Sequence, residues 1–223
     1  MRLICISSSS SGNGYLLTNG KETLIIEMGM PFKEVKKVLD FDISSIVGAV
    51  CSHTHGDHFH YHKEYEQAGI DLFTPWKYDK DLAIFGGFRI QAFPVPHNGT
   101  PCYGFVIWHK EITGCLIFAT DLEYCQFKFD KLKPSTIAIE ANYSMDLVSK
   151  DAENYGHVLM GHMSIDSACD FIRANQTDGL KNVLLLHLSG RNAKPDLFRE
   201  LAQAATGDDV NVEVARKGLE IEI

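Results

Sequence analysis

Residues 53–58 read HTHGDH and directly follow an apolar run, residues 46–51, that is typical of a buried strand. In an extended chain, residues i and i+2 point to the same side, so His53 and His55 can both face one metal ion. A pair of histidines alone would be weak evidence, because most histidines are ordinary core or surface residues. The pattern therefore has to be judged with the residues that follow it.

Gly56 permits a sharp change of direction after the second histidine. Such a turn can direct Asp57 and His58 toward a second ion beside the first. Four ligand-type side chains then lie within six positions, immediately after a buried strand. We therefore predict a metal site here and not a histidine-rich surface loop.

The motif resembles the HxHxDH signature of the metallo-β-lactamase-fold hydrolases. That resemblance implies three further ligands at strand ends, in the order histidine, aspartate, histidine. The sequence has candidates in that order: His97 in PVPHNG, Asp121 in FATDLE and His187 in VLLLHLS. Each comes just after an apolar run, where side chains converge at a sheet edge.

The resemblance implies two divalent ions, each held by nitrogen and oxygen donors. The first ion would take His53, His55 and His97, the second would take Asp57, His58 and His187, and Asp121 would bridge them. This donor set suits Zn²⁺ and also tolerates Mn²⁺ or Fe²⁺. Two such ions can hold a hydroxide as nucleophile, and Asp57 can orient it or accept its proton.

Four smaller segments resemble the WalJ (YycJ) branch of nuclease-like members. They are ISSSSSGNGYLL near the N-terminus, IEANY at 139–143, GHMS at 161–164 and HLSGRN at 187–192. In GHMS, His162 precedes a helix that Ser164 is expected to cap. His162 therefore either donates a proton to a leaving oxygen or holds a phosphate, or it is only a supporting or surface histidine.

The other polar residues of these segments have open roles. In the N-terminal segment, Ser8, Ser9, Gly12 and Asn13 either bind substrate or form a structural turn, and the same choice applies to the pair Ser189 and Asn192. Two further residues, Glu140 and Asn142, are expected to orient metal ligands. The remaining histidines are not expected to bind metal: His60 and His62 face other directions, and His109 and His157 are solvated.

The pattern of elements predicts an α/β fold, and the resemblance specifies a four-layer αββα metallo-β-lactamase-type sandwich. The turn Asn19-Gly20 predicts a hairpin of two strands, 15–18 and 23–27. Helical spacing predicts helices at 32–39, 164–174 and 195–205, and further apolar runs predict strands at 3–6, 46–51, 88–93, 103–108, 112–119, 136–140, 182–187, 210–214 and 219–223. With no composition shift or internal repeat, we expect one domain over residues 1–223.

Composition limits the possible functions. The chain has 21 Lys plus Arg against 29 Asp plus Glu, a formal charge of −8, which argues against a long electrostatic contact with nucleic acid. It does not exclude a phosphate site whose positive charge comes from metal. Without a signal segment or a long apolar run, we expect a cytoplasmic protein that does not enter membranes.

These features together predict a metal-dependent hydrolase that acts on phosphodiesters, most plausibly a DNA or RNA nuclease working on exposed ends. Aspartate at 121, together with Asp57 and His58, favours phosphodiester or thioester chemistry over a β-lactamase-like site. The alternative is a small-molecule hydrolase of the same fold, acting on a thioester, a lactone or a cyclic nucleotide. A third hypothesis, a metal-binding sensor without catalysis, fits the complete ligand set poorly.

Overall fold

The computed structural model describes residues 1–77, 80–151 and 153–223. The strands of this part are β1 (Arg2–Ser9), β2 (Gly12–Thr18), β3 (Thr23–Ile26), β4 (Ile46–Val50), β5 (Leu72–Phe73), β6 (Leu82–Phe85), β7 (Phe88–Val95), β8 (Cys102–Trp108), β9 (Cys115–Ala119), β10 (Pro134–Glu140), β11 (Asn182–Leu186), β12 (Asn211–Val214) and β13 (Glu220–Glu222). The helices are α1 (Phe32–Val38), α2 (Gly56–Phe59), α3 (His62–Gln67), α4 (Tyr155–Gly161), α5 (Ile165–Asn175) and α6 (Pro195–Thr206).

The strands form two sheets, with orders β13-β1-β2-β3-β4-β5 and β12-β11-β10-β9-β8-β7-β6. In the first sheet β1, β2 and β3 are antiparallel, while β3, β4 and β5 are parallel. The predicted hairpin is confirmed, with Thr18 paired to Thr23. In the second sheet β6 to β9 are antiparallel, whereas β9 to β12 run parallel.

Three apolar layers hold the sheets and helices together. Between the sheets, Leu17 and Leu24 belong to one buried cluster with Phe105 and Leu184 of the facing sheet. Outside the first sheet a second cluster packs α1 and α3 onto the strands, and outside the second sheet a third cluster packs α5 and α6. The central strands thus bury residues on both faces, as strands covered on both sides must, whereas the edge strand β6 stays partly exposed. The expected αββα arrangement is confirmed.

The topology brings the ends of several strands to one edge of the sandwich. Among the parallel strands, β4 ends just before His53, β9 just before Asp121 and β11 at His187. Strand β7 runs in the same direction as β9, because each is antiparallel to β8, and it ends just before His97. Parallel strands present their carboxyl ends at the same sheet edge, which is where α/β proteins bind ligands.

Some elements differ from the sequence-based expectation. Strand β9 begins at Cys115 and not at residue 112, because residues 110–114 form a turn in which Gly114 has a φ of +76°. The short edge strands β5 and β6 and the helices α2, α3 and α4 were not predicted. His109 was predicted to be solvated, and this is wrong: its side chain is buried, with Nε2 3.1 Å from Glu22 Oε2.

None of the helices in the described part of the chain is long and apolar enough to cross a membrane.

The layer between the sheets can be tested by removing one of its side chains. Leu184 in β11 is 1% exposed, so Leu184→Ala should leave a cavity and lower the free energy of unfolding by about 2–5 kcal/mol. The matched control is Leu201→Ala on α6, whose side chain is 38% exposed and whose loss should cost about 0.5 kcal/mol or less. Urea unfolding followed by circular dichroism measures both, and equal losses would contradict the assigned core.

Candidate metal centre

The motif 53–58 forms the transition from β4 to α2. His55 has extended backbone angles and directly precedes α2, whose first turn contains Asp57. Gly56 has neither a left-handed φ nor a close neighbour, so the change of direction does not depend on its being glycine. A glycine is required instead at Gly29, where an added Cβ would overlap the carbonyl oxygen of Asp57.

The structure brings one group of four predicted residues together: His53, His55, His97 and Asp121. One ligand-type atom from each lies within 4.8 Å of all the others. The closest pair is His97 Nε2 and His55 Nδ1, at 3.0 Å. The nearest approach of His53 is from Nε2 to Asp121 Oδ2, at 3.5 Å.

A second group contains Asp57, His58, Asp121 and His187. Here His58 Nε2 lies 3.1 Å from Asp121 Oδ2, and His187 Nε2 lies 3.4 Å from Asp57 Oδ2. Asp121 belongs to both groups, and this is the shared position that the sequence resemblance implies. All seven residues expected to bind metal are therefore neighbours in space, although they span positions 53 to 187.

Contacts on the far side of each ring determine which nitrogen faces the centre. His97 Nδ1 donates to the carbonyl oxygen of Gly161 at 2.6 Å, and His53 Nδ1 lies 2.9 Å from Ser52 Oγ. In His187, Nδ1 donates to Glu140 Oε1 at 3.1 Å. The Nε2 atoms of His53 and His97 are thereby directed into the centre, as is usual for histidines that bind metal. His187 faces the centre with both nitrogens, Nε2 toward Asp57 and Nδ1 at 3.2 Å from Asp121 Oδ1.

Glu27 is a site residue that the sequence reading missed. Its side chain is fully buried just after β3, where Oε1 accepts the Ser52 N–H at 3.1 Å and Oε2 accepts the Cys51 thiol proton at 3.1 Å. The same Oε2 lies 3.2 Å from His58 Nδ1. The available signal was an acidic residue directly after an apolar strand, the same signal that identified Asp121.

Glu140 lies at the end of β10 and is fully buried. Its Oε1 accepts from His162 Nδ1 at 2.7 Å as well as from His187, and its Oε2 accepts the backbone N–H groups of Leu122 and Met163. Although Glu140 belongs to a third group of ligand-type residues, these four contacts already occupy both oxygens. Glu140 therefore orients two histidines, as expected from the sequence.

Three further polar residues, Ser8, Asn13 and Asn142, contact the metal-ligand candidates directly. Ser8 Oγ accepts the backbone N–H of His187 at 2.8 Å and the Tyr15 hydroxyl at 2.7 Å. Asn13 Nδ2 lies 2.9 Å from His58 Nε2, while its Oδ1 accepts the Ser9 N–H. Asn142 donates to the carbonyl oxygen of His187 at 2.7 Å.

Backbone strain is concentrated in this region. Glu27, Asp121 and His187 have φ angles of 66°, 53° and 52°, in the left-handed region that non-glycine residues rarely adopt. Each such residue costs on the order of 1–3 kcal/mol, and strain of this kind clusters at functional sites. The surrounding sheets and hydrogen bonds therefore hold these side chains in orientations that an isolated strand end would not adopt.

The histidines of the centre differ in pKa, because burial and neighbouring charges act on them to different extents. Burial lowers the pKa of His53 to about 2 and also lowers the pKa of His97, so both rings are neutral at pH 7. Burial also acts to lower the pKa of His187, but the Asp121, Asp57 and Glu140 carboxylates outweigh it and raise this pKa to about 10. A cation at the second group would therefore have to displace a proton.

His162 and Asp57 both keep partial access to solvent, with side chains 13% and 20% exposed. Burial disfavours the charged His162, but the Glu140 carboxylate outweighs it and raises the pKa of the ring. Burial likewise disfavours the charged Asp57, but hydrogen bonds from His187 and His58 hold the pKa of that carboxyl below its usual range. The centre thus opens to solvent beside the His162 ring and the Asp57 carboxylate.

A buried nitrogen atom without a hydrogen-bond partner indicates that the donor set suits divalent cations. His53 Nε2 is buried and has no hydrogen-bond partner, although it points toward Asp121. Leaving a buried polar atom unpaired costs about 1–3 kcal/mol, which a bound cation would recover by using the nitrogen lone pair. Five imidazoles and two carboxylates are the donors that Zn²⁺ and similar ions bind.

Comparisons with known proteins agree with this architecture. No family model matches the chain. The sequence is 23% identical to the exodeoxyribonuclease WalJ of Streptococcus pneumoniae, over 94% of this chain and 91% of WalJ. The metallo-β-lactamase-fold protein YhfI of Bacillus subtilis superposes with a TM-score of 0.74 and 17% identity, covering 99% of this chain and 98% of YhfI.

The short form of human tRNase Z superposes with a TM-score of 0.66 and 15% identity, covering 100% of this chain and 99% of that protein. At such identities, likeness to solved structures establishes the fold. The chain therefore has the metallo-β-lactamase fold, as the motif indicated, and the likeness to WalJ fits the branch that the shorter segments resemble.

Metal binding by the two groups can be separated by substitution. We expect the protein to bind two divalent ions per chain. His53→Ala should lose one of them, and Asp121→Asn, which keeps the shape and tolerates the left-handed backbone, should lose both or bind them much more weakly. Equilibrium dialysis against Zn²⁺ with elemental analysis measures the ratio.

His60→Ala is the matched control, because His60 is two residues past the motif, exposed, and absent from both groups. It should keep the full metal content. Equal metal content in the wild type and Asp121→Asn would contradict a shared carboxylate.

Proposed function

We propose that this chain, which has the metallo-β-lactamase fold, is a metal-dependent hydrolase that cleaves phosphodiester bonds in nucleic acid. The observation that carries the proposal is the pair of donor groups joined at Asp121, with His162 and Asp57 beside them at the solvent-facing side. Two cations a short distance apart suit the attacking and leaving oxygens of a phosphoryl displacement.

In this proposal the first ion would be held by His53, His55 and His97 and the second by Asp57, His58 and His187. Asp121 would contribute to both. Divalent ions held there would lower the pKa of water, so that hydroxide is available at neutral pH. Zn²⁺ fits the donors best, and Mn²⁺ and Fe²⁺ are the alternatives. Glu27, Glu140 and Ser8 keep the ligands in position.

Asp57 has a second role in this proposal. Its Oδ2 is 3.4 Å from both His58 Nε2 and His187 Nε2, and its side chain is the more exposed of the two aspartates. An ionised carboxylate at the solvent-facing side can orient a water molecule and accept its proton.

His162 is the candidate proton donor. Glu140 holds its Nδ1 at 2.7 Å, whereas its Nε2 makes no hydrogen bond within the described residues. The ring lines a cavity at the edge of the centre, stacked on His187 with 5.3 Å between ring centroids. An imidazolium in this position can protonate the oxygen that leaves when the bond breaks.

Nucleic acid is the proposed substrate class on two grounds. The chain resembles WalJ, an exodeoxyribonuclease, along most of its length, and it shares its fold with tRNase Z. The charge of −8 implies that few phosphates are contacted. We therefore expect binding to nucleic acid to weaken only slightly as salt concentration rises.

The decisive assay compares substrate classes. Bis-p-nitrophenyl phosphate and end-labelled single- and double-stranded DNA and RNA are tested beside a panel of thioesters and lactones, each with Zn²⁺ and with Mn²⁺. Phosphodiester cleavage that is lost in Asp57→Asn would support the proposal. Turnover of thioesters or lactones with intact DNA and RNA would overturn it in favour of a small-molecule hydrolase.

The role of His162 predicts a dependence on the leaving group. His162→Gln should lower cleavage of DNA by about 100-fold, because an alkoxide needs a proton to leave. The same variant should lower cleavage of bis-p-nitrophenyl phosphate far less, because p-nitrophenolate leaves without one. Single-turnover rates on the two substrates test this.

His62→Gln is the control for that measurement, since His62 packs on Phe59 outside the centre. It should leave both rates unchanged. An equal loss on both substrates in His162→Gln would assign this ring a positioning role only.

A further inference from the structure

A cavity of 470 Å³ opens directly beside the centre, with His162 and His187 in its wall. This volume lies in the lower part of the roughly 300–1,000 Å³ range of small-ligand pockets. The rest of the wall comes from Ser10, from residues 142, 147–149, 154, 157 and 158, and from residues 188–192. A part of the substrate bound in this cavity would lie next to the bond that is cleaved at the centre.

The segment 188–192 is a fixed turn. The N–H of Ser189 donates to the Asn142 carbonyl at 2.9 Å, and the Asn192 carbonyl accepts the Ser144 N–H at 2.9 Å. Within the turn, Ser189 Oγ accepts the N–H groups of Arg191 and Asn192. Of the two roles left open for this pair, Ser189 therefore forms the turn.

Several polar groups of the wall are left without partners. Within the described residues, the side-chain amides of Asn154 and Asn192 and the guanidinium of Arg191 make no hydrogen bond or ion pair. Asn192 is half-buried, while Asn154 and Arg191 are exposed. All three belong to the cavity wall, and the backbone of Asn192 is anchored by the turn. Each amide offers a donor and an acceptor in one plane.

Four apolar side chains also line the cavity, beside its polar groups. Leu147, Val148 and Leu188 are half-buried and line it, and Val158 is buried behind it. Among the described lining residues, Arg191 is the only lysine or arginine. The histidines of the wall, His157, His162 and His187, lie together on the side of the centre. Away from the centre the wall therefore offers one lysine- or arginine-type cation, and its apolar side chains and side-chain amides suit a flat heterocycle better than a chain of phosphates.

We infer that this cavity binds one unpaired nucleobase of the substrate, next to the phosphate that is cleaved. This inference rests on the proposed phosphodiesterase function. The apolar side chains cover the faces of the base, the amides of Asn154 and Asn192 bond to its edge, and Arg191 reaches the adjoining phosphate. A base in a duplex has to leave the stack before it can enter such a pocket.

The test measures selectivity for a nucleoside. The p-nitrophenyl esters of thymidine 5′-phosphate and 3′-phosphate are compared with bis-p-nitrophenyl phosphate, all three releasing p-nitrophenolate. We expect kcat/KM for one of the thymidine esters to exceed that for bis-p-nitrophenyl phosphate by about tenfold or more, mainly through KM. The double variant Asn154→Ala/Asn192→Ala should reduce this ratio by about tenfold.

Gln91→Ala is the matched control, because it removes an exposed amide from β7, outside the cavity wall. It should keep the wild-type ratio. Equal kcat/KM on all three substrates, or an unchanged ratio in the double variant, would overturn the inference while leaving the phosphodiesterase proposal intact.

A second readout does not need turnover. Isothermal titration calorimetry compares thymidine 5′-monophosphate and 3′-monophosphate with inorganic phosphate as ligands. Binding of one nucleotide about tenfold tighter than phosphate in the wild type but not in the double variant would support the base pocket. Equal binding of nucleotides and phosphate would overturn it, whereas absence of phosphodiester hydrolysis alone would count against the proposed function.

Discussion

The centre depends on burying the carboxylate of Asp121 among imidazole rings. A buried charge is tolerated only when it is paired, and Asp121 approaches His53, His58 and His187 within 3.5 Å. Those rings follow strands of two different sheets, so their contacts with one aspartate fix the distance between the strand ends of the two sheets. The layer of apolar side chains between the sheets has the complementary role, because it makes the relative position of the strand ends rigid.

Much of this arrangement could be predicted from the chain alone. The motif at 53–58 identified the fold, and with it the order in which His97, Asp121 and His187 had to follow. This worked because all of them lie just past apolar runs, and a run that ends at a sheet edge is visible in a sequence. The alternation of strands and amphipathic helices likewise indicated a layered α/β architecture.

The features that could not be predicted all depend on contacts between distant segments. Glu27 gains its role only because β3 lies beside β4, which puts its carboxylate behind His58. His109 precedes a turn and resembles a surface residue, yet its ring pairs with Glu22, 87 positions earlier in the chain. Gly29 is required because the backbone of Asp57 comes very close to it. The helix α4, which has a glycine near each end, lacks a strong helical signal.

The hydroxyl of Ser8 joins the first strand to the backbone of His187, 179 positions later. Its other partner, Tyr15, packs edge-on against Phe118 between the sheets. During synthesis on the ribosome, the first strands therefore emerge long before β11 and the His187 that they support. The second group of donors closes only when β11 has joined its sheet, so cation loading there has to follow the synthesis of β11. Long-range pairing of this kind makes for slow folding.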